Sequence, residues 1–240
     1  MGLQSALRMI FPPACISCGV PVATDFGLCA GCWQQTPFIG GLVCDKCGVP
    51  LPGEDEGRPE VCDDCMTIAR PWDRGRAAFL YKDKGRDMVL SLKHADRLDL
   101  IGPAAEWLFR AAKPLVQPGM IVAPIPLHWS RLFRRRYNQS ALLSGAVARL
   151  AGLDHCPDLL IRTRKTASQE GRSRDARFAN LASAIGGHPQ RMGKMSGRPV
   201  LLVDDVMTSG ATFAAAADAC LAAGATQVCI LALARVAKDA

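Results

Sequence analysis

The sequence predicts an α/β protein in which a parallel-sheet domain follows a small cysteine-rich domain. Three observations predict it. Eight of the 11 cysteines fall in C-x-x-C pairs, all of them before residue 66. From about residue 75 onward, aliphatic runs alternate with longer helical patterns, the order that builds parallel sheets. At 240 residues and 49% hydrophobic content, the chain is long enough for one or two domains with a true core. We place the boundary between residues 1–70 and 71–240.

The N-terminus, MGLQSALRMIFPPACISC, has one late arginine and a short, interrupted apolar stretch. That is a poor export signal, and no apolar run reaches the roughly 18 residues needed to cross a bilayer. The expectation is a cytoplasmic protein without a membrane partner. Leu3, Leu7, Ile10 and Phe11 fit a short amphipathic turn packed on the cysteine-rich segment.

The pairs are Cys15/Cys18, Cys29/Cys32, Cys44/Cys47 and Cys62/Cys65. A C-x-x-C knuckle lets two thiolates meet one tetrahedral zinc at about 2.3 Å, and in a reducing compartment metal binding is the expected use. Disulfides and an iron–sulfur site are the competing uses. Four knuckles make two structural zinc sites. Sequential pairing would join Cys15, Cys18, Cys29 and Cys32, then Cys44, Cys47, Cys62 and Cys65. A cross-brace would join the first pair to the third. The repeated CISCGVP and CDKCGVP favour a duplicated ribbon and hence sequential pairing. Zinc here stands in for a core that some 60 residues with few large apolar side chains would not build. Residues 1–70 hold 4 basic and 8 acidic side chains, including the loop GEDEGRPE. Such a surface repels phosphates, so a structural or partner-docking role fits better than direct nucleic-acid binding.

Farther along, RAAFLY reads as a strand and residues 84–113 as two helical stretches separated near Leu98. The strand IVAPIP comes next, its prolines marking an edge or an ending. Asn138-Gln139-Ser140 starts a helix that Gly152 terminates. DLLIRTR reads as a further core strand, RTRKTASQEGRSRDARFAN as a flap over about 163–180, and GGHPQRMGKMSG as a linker. The strand PVLLV, the helix TFAAAADACLAA and the strand QVCILALARVA complete the pattern. Cys156, Cys220 and Cys229 read as small core residues, and the four histidines do not cluster as ligands.

Between Arg131 and Arg177 there are 11 Arg/Lys against 4 Asp/Glu, a surplus equal to the +7 of the whole chain. A localised basic segment suits an anionic ligand, either a phosphorylated metabolite or nucleic acid, or else a solvated arginine-rich surface. Against it stands VLLVDDVMTSGAT, residues 200–212. The backbone N–H groups of Thr208, Ser209, Gly210, Ala211 and Thr212 can wrap a phosphate beside a helix N-terminus. Asp204 and Asp205 can accept hydrogen bonds from sugar hydroxyls or orient a hydrated Mg²⁺. The glycines spell neither a P-loop nor a dinucleotide fingerprint. A ribose 5-phosphate derivative with Mg²⁺ satisfies both halves.

VLLVDDVMTSGAT resembles the signature of the type I phosphoribosyltransferases, which bind 5-phosphoribosyl 1-diphosphate (PRPP). With the four knuckles, PIPLHWSRLFRRRYNQSALL and RTRKTASQEGRSRDARFAN, nearly the whole chain is similar to the ComF family associated with natural competence. Arg136 stands where that family usually has glycine, and Arg172 where it usually has leucine.

The resemblance implies a type I phosphoribosyltransferase-like domain behind a double zinc ribbon. It implies PRPP contacts from Val203, Asp204, Asp205, Thr208, Ser209, Gly210, Ala211 and Thr212, with the two aspartates in the catalytic role. Diphosphate and flap contacts are implied for Arg134, Arg135, Arg136, Asn138, Gln139, Arg162, Arg164, Thr166, Gln169, Arg177 and Asn180. Mg²⁺-dependent phosphoribosyl transfer to an unidentified acceptor is the implied activity. The alternative is a non-enzymatic module on the same fold that meets single-stranded DNA or a helicase-like partner in DNA uptake. Aromatics near the arginines are few, which weakens base stacking.

Overall fold

The computed structural model describes residues 12–94, 97–127, 137–163 and 184–237. Two short helices, α1 (Ala30–Gln34) and α2 (Asp63–Thr67), belong to the cysteine-rich part. Then come β1 (Arg74–Leu80), α3 (Asp83–His94), a 3₁₀ turn at Leu98–Leu100, α4 (Ile101–Ala112) and β2 (Ile121–Pro124). The chain continues with α5 (Gln139–Ala151), β3 (Asp154–His155), β4 (Leu160–Arg162) and β5 (Ile185–Gly187). A second 3₁₀ turn at Met192–Met195 precedes β6 (Pro199–Met207), α6 (Ala211–Ala222) and β7 (Gln227–Arg235).

Five strands form one sheet in the order β1-β7-β6-β2-β3, and every pairing in it is parallel. Strands covered on both faces have to be apolar throughout, and β7 is buried from Val228 to Arg235. Along β6 the pleat sends Leu201 and Val203 to one face and Val200 and Leu202 to the other. The first face packs on α3, α4 and α5 through Val89, Leu92, Leu108, Leu143 and Val147. The second packs on α6 through Phe213, Ala216, Ala217 and Cys220.

From β2 the chain runs through α5 outward to β3, whereas from β6 it runs through α6 outward to β7 on the other side. The carboxyl ends of β2 and β6 therefore flank the crevice where the winding reverses, the place where open α/β sheets bind ligands.

Three sequence expectations change in detail, and one open alternative is resolved. DLLIRTR does not join the main sheet: β4 pairs antiparallel with β5 in a separate two-stranded ribbon. An apolar run of three or four residues suits a two-stranded ribbon as well as a sheet core. The linker-like GGHPQRMGKMSG supplies Gly186 and Gly187 of β5 and the fully buried Met195, so it is part of the packed structure. The strand expected to end at Val203 continues to Met207, which puts both aspartates inside β6. Of the two readings of the prolines in IVAPIP, the ending holds, since β2 stops at Pro124 and lies between β6 and β3. The N-terminal turn with Leu3, Leu7, Ile10 and Phe11 lies outside the described residues. Among the described residues, no helix is long and apolar enough to cross a membrane.

The exposed edge of β1 is covered by the chain between the two ribbons. The Ile39 N–H donates to Ala78 O at 3.0 Å, and the Leu80 N–H donates to Pro37 O at 2.9 Å. Covering an edge in this way removes a template for pairing with another chain. One ribbon touches each face of the sheet: Ile16 joins the cluster with α3 to α5, and Cys44 and Cys47 join the cluster with α6.

Candidate functional site

The metal sites are two cysteine quartets, Cys15/Cys18/Cys29/Cys32 and Cys44/Cys47/Cys62/Cys65, each with its sulfurs within 4.8 Å of one another. This is the sequential pairing. Across the pairs, the Cys18 and Cys29 sulfurs are 3.6 Å apart and the Cys47 and Cys62 sulfurs 3.7 Å. A tetrahedron with Zn–S bonds of about 2.3 Å has edges of about 3.8 Å, so the quartets fit zinc in ligand type, number and spacing. The duplication shows in the backbone. Cys15 N–H donates to Val20 O at 2.7 Å, and Cys44 N–H donates to Val49 O at 2.8 Å. Cys29 and Cys62 are the N-caps of α1 and α2.

The second site is the crevice at β2 and β6. Asp204 is half-buried and Asp205 is 9% exposed. Burial first, and the Asp205 charge second, push the Asp204 carboxyl up to about 7, against the stabilising hydrogen bond from Ser140. The Ser140 hydroxyl donates to Asp204 Oδ1 at 2.7 Å, and the Asp205 N–H donates to the same oxygen at 2.9 Å. Asp205 Oδ1 meets Lys93 Nζ at 3.0 Å, both side chains being mostly buried. The like charges at the strand end are thus held apart by two different partners from two different helices.

Ser140 is in place because α5 starts where it does. Asn138 Oδ1 accepts from the Ser140 N–H at 3.1 Å as N-cap, and Asn138 Nδ2 donates to Ile125 O at 3.2 Å just beyond β2. Gln139 is 1% exposed, and its amide reaches Leu92 O at 3.5 Å, one residue before Lys93. The Tyr137 hydroxyl reaches the same carbonyl at 3.3 Å. Asn138 and Gln139, expected against the diphosphate, are used here as a helix cap and a buried tie.

Beyond β6, Gly210 takes φ +82° at the N-cap of α6, a left-handed conformation that glycine adopts freely. A Cβ there would lie 2.9 Å from Met207 Cε and 3.0 Å from both Arg70 Nη1 and Trp72 Cη2. Thr208 is exposed, Ser209 half-buried and Ala211 buried. The carbonyls of this loop are held from behind. Arg70 Nη1 donates to Ser209 O at 2.8 Å, and Arg235 Nη1 donates to Thr208 O at 2.7 Å and Met207 O at 3.3 Å. With its carbonyls turned to these guanidinium groups, the loop can offer N–H groups outward to an anion.

The structure brings Val203, Asp204, Asp205 and Thr208 to Thr212 together, with Asn138 and Gln139 alongside. Arg162, on β4, pairs with Ile185. The root of the β4–β5 ribbon reaches α6, where Ala184 packs on Ala211. Arg134, Arg135, Arg136, Arg164, Thr166, Gln169, Arg177 and Asn180 lie outside the described residues, as does the rest of the flap after Thr163. Sequence reasoning missed Lys93, Arg70 and Arg235. Lys93 follows the fully buried Leu92, and Arg235 ends an apolar strand. A charge placed among core residues was the one available signal.

A doubly wound parallel sheet with this acidic strand end and loop, behind two four-cysteine ribbons, defines a phosphoribosyltransferase-like protein with a double zinc ribbon. A family model described as "Double zinc ribbon domain" matches residues 6–66. The chain is 30% identical over 231 residues to the DNA utilization protein YhgH of Escherichia coli, covering 93% of this chain and 97% of that one. It is 27% identical to competence protein F of Haemophilus influenzae, covering 82% and 86%. It is 25% identical to competence protein ComFC of Bacillus subtilis, covering 83% and 80%. The chain belongs to this ComF family.

Among solved structures it is similar to the allosteric regulatory enzyme of purine biosynthesis, at 17% identity and a TM-score of 0.39. That match covers 57% of this chain and spans 26% of the enzyme's length. It is also similar to adenine phosphoribosyltransferase from Thermoanaerobacter pseudethanolicus, at 17% identity and a TM-score of 0.35, covering 60% and 83%.

Proposed function

We propose that residues 71–240 bind PRPP with Mg²⁺ at the β6 crevice, that residues 1–70 form the ribbon domain, and that the protein works in DNA utilisation or uptake. The single observation that carries the binding reading is the acidic pair at the end of β6, followed directly by the Thr208–Thr212 loop on the N-terminus of α6. In this reading the loop amides hold the 5-phosphate, and Asp204 and Asp205 accept from the ribose hydroxyls or orient the hydrated cation. Mg²⁺ would supply charge compensation for a departing diphosphate. Lys93 holds Asp205 by its ion pair, and Ser140 holds Asp204 by its hydrogen bond. The arginines of residues 131–136 and of the flap would meet the diphosphate. The setting in DNA metabolism comes from the relatives named for DNA utilisation and competence.

Calorimetry tests the binding. PRPP is expected to bind the wild type only with Mg²⁺, and Asp204→Asn with Asp205→Asn to weaken it by at least tenfold. Equal binding by that variant refutes the assignment. Release of diphosphate from PRPP with a panel of amines and nucleobases distinguishes an enzyme from a binding module. Single-stranded DNA binding with a steep salt slope and no release favours the module, whose specific support is the basic segment between Arg131 and Arg177.

A further inference from the structure

Of the two arginines behind the phosphate loop, Arg235 reaches the second cysteine quartet directly and Arg70 reaches its knuckle through Trp72. Arg235 is 5% exposed, and among the described residues it has no carboxylate partner. Its Nη1 serves the Met207 and Thr208 carbonyls, and it also donates to Val236 O. Its Nη2 points the other way, to Cys47 Sγ at 3.8 Å. Arg70 donates to Ser209 O at 2.8 Å.

Between them stands Trp72, 1% exposed. Its Nε1 donates to Lys46 O at 2.6 Å inside the Cys44–Cys47 knuckle, and its ring meets Phe213 of α6 edge-on at 6.4 Å. Arg70 lies over the same ring, 5.2 Å from its centroid.

A buried guanidinium without a carboxylate needs another source of negative charge. Four thiolates around one divalent cation carry a net charge of about −2, and their sulfurs accept charge-assisted hydrogen bonds. The second quartet fits that group, and it is the anionic centre that Arg235 meets, with Arg70 joined to the same knuckle through Trp72. The first quartet has no such link to the loop among the described residues.

We propose that Arg235 and Arg70 are positioning residues that join the second cysteine quartet to the Thr208–Thr212 loop, so that metal occupancy at Cys44, Cys47, Cys62 and Cys65 sets the shape of the phosphate site. The Cys47 thiolate fixes the far end of Arg235, and the Cys44–Cys47 knuckle holds Trp72 under Arg70, while the near ends of the two guanidinium groups hold the carbonyls of Met207, Thr208 and Ser209. Loss or oxidation of this one quartet releases the loop, whereas the first quartet is indifferent to it. The inference deepens the reading of the loop as a phosphate site, yet its direct readout needs no ligand.

Arg70→Met and Arg235→Met are made in the full chain, and zinc content is measured on each. Hydrogen exchange is then followed at Ala214, whose N–H donates to Gly210 O, and at Val147 in α5 as an internal reference. With two zincs retained, exchange at Ala214 is expected to rise about tenfold, the change that follows loss of one charge-assisted hydrogen bond, with Val147 unchanged. Unchanged exchange at Ala214 in Arg70→Met overturns the proposal. That side chain is only half-buried, so this variant carries the test if Arg235→Met fails to fold.

Linkage supplies a second arm: ribose 5-phosphate is expected to slow chelator release of one zinc of the two in the wild type, and to lose this effect in the variants. Equal protection of both zincs, or protection that survives in both variants, counts against the coupling. If ribose 5-phosphate does not bind while Ala214 responds to Arg70→Met, the coupling stands and the binding assignment falls.

Discussion

Asp204 and Asp205 share one strand end, yet their surroundings divide their roles. Lys93 pairs with Asp205, while burial first and the neighbouring Asp205 charge second push the Asp204 carboxyl up to about 7. An unfolded aspartate ionises near pH 4. Because the folded value is the higher one, the folded protein has no penalty from this group below about pH 4. It loses stability as pH rises toward about 7, and the loss then levels off. Asp204→Asn keeps an oxygen for the Ser140 hydroxyl and the Asp205 N–H while removing the charge. It is expected to stabilise the free protein at about pH 8, on the order of 2 kcal/mol after discounting for solvent reaching a half-buried group. The gain should shrink to nothing near pH 4 in denaturant titrations at a series of pH values; a gain independent of pH would mean that Asp204 is not the group titrating. The proposed binding of Mg²⁺ and PRPP would need the carboxylate, so in the wild type below about pH 7 it should release a proton. Calorimetric heats that vary with buffer ionisation enthalpy would show it, and the variant would not.

At the scale of elements, the site depends on where α5 begins. Asn138 caps that helix and ties it to the end of β2, and the cap fixes the Ser140 hydroxyl on Asp204. Asn138→Ala is expected to cost about 1 kcal/mol in denaturant unfolding without ligand, the usual loss for an N-cap. A residue whose sole work was to touch diphosphate would leave ligand-free stability unchanged. Much of this layout was legible in the sequence, because its signals are local. Asn138 and Gly152 bracket α5 by their own backbone chemistry, and the C-x-x-C-G-V-P repeat dictates its own turn twice. What was not legible depends on contacts between distant segments. DLLI carries the same apolar pattern in a two-stranded ribbon as in a core sheet, so its partner β5 had to be seen. Lys93 and Arg235 reach the acidic pair and the loop from other elements, and nothing in their immediate neighbours announces the charge they meet.

On the scale of the whole molecule, the ribbons are expected to carry two zinc ions per chain by metal analysis, and one or none would refute the double site. The two ribbons repeat one another in sequence but not in their relation to the sheet, and this asymmetry can be measured with a matched pair of glycines. Gly19 and Gly48 occupy the same place in the two knuckles, at φ +78° and +68°. A Cβ on Gly19 meets nothing within 4 Å, whereas a Cβ on Gly48 would lie 2.8 Å from Arg76 Cα and Ala77 N on β1. Both alanine variants pay the left-handed backbone cost of about 1–2 kcal/mol. Only Gly48→Ala must also move the second ribbon away from backbone that cannot yield, stretching the contact of Gly75 N–H with Asp45 O at 2.8 Å. The expected outcome in thermal unfolding with zinc saturated is a loss for Gly48→Ala larger than for Gly19→Ala by about 2 kcal/mol or more, the usual range for overpacking against rigid neighbours. Equal losses would mean that the second ribbon is not seated on β1 in solution. A larger loss accompanied by faster exchange at Ala214 would connect that seating to the Thr208–Thr212 loop, since the same ribbon supplies the Cys47 sulfur to Arg235 and the Lys46 carbonyl that holds Trp72 under Arg70.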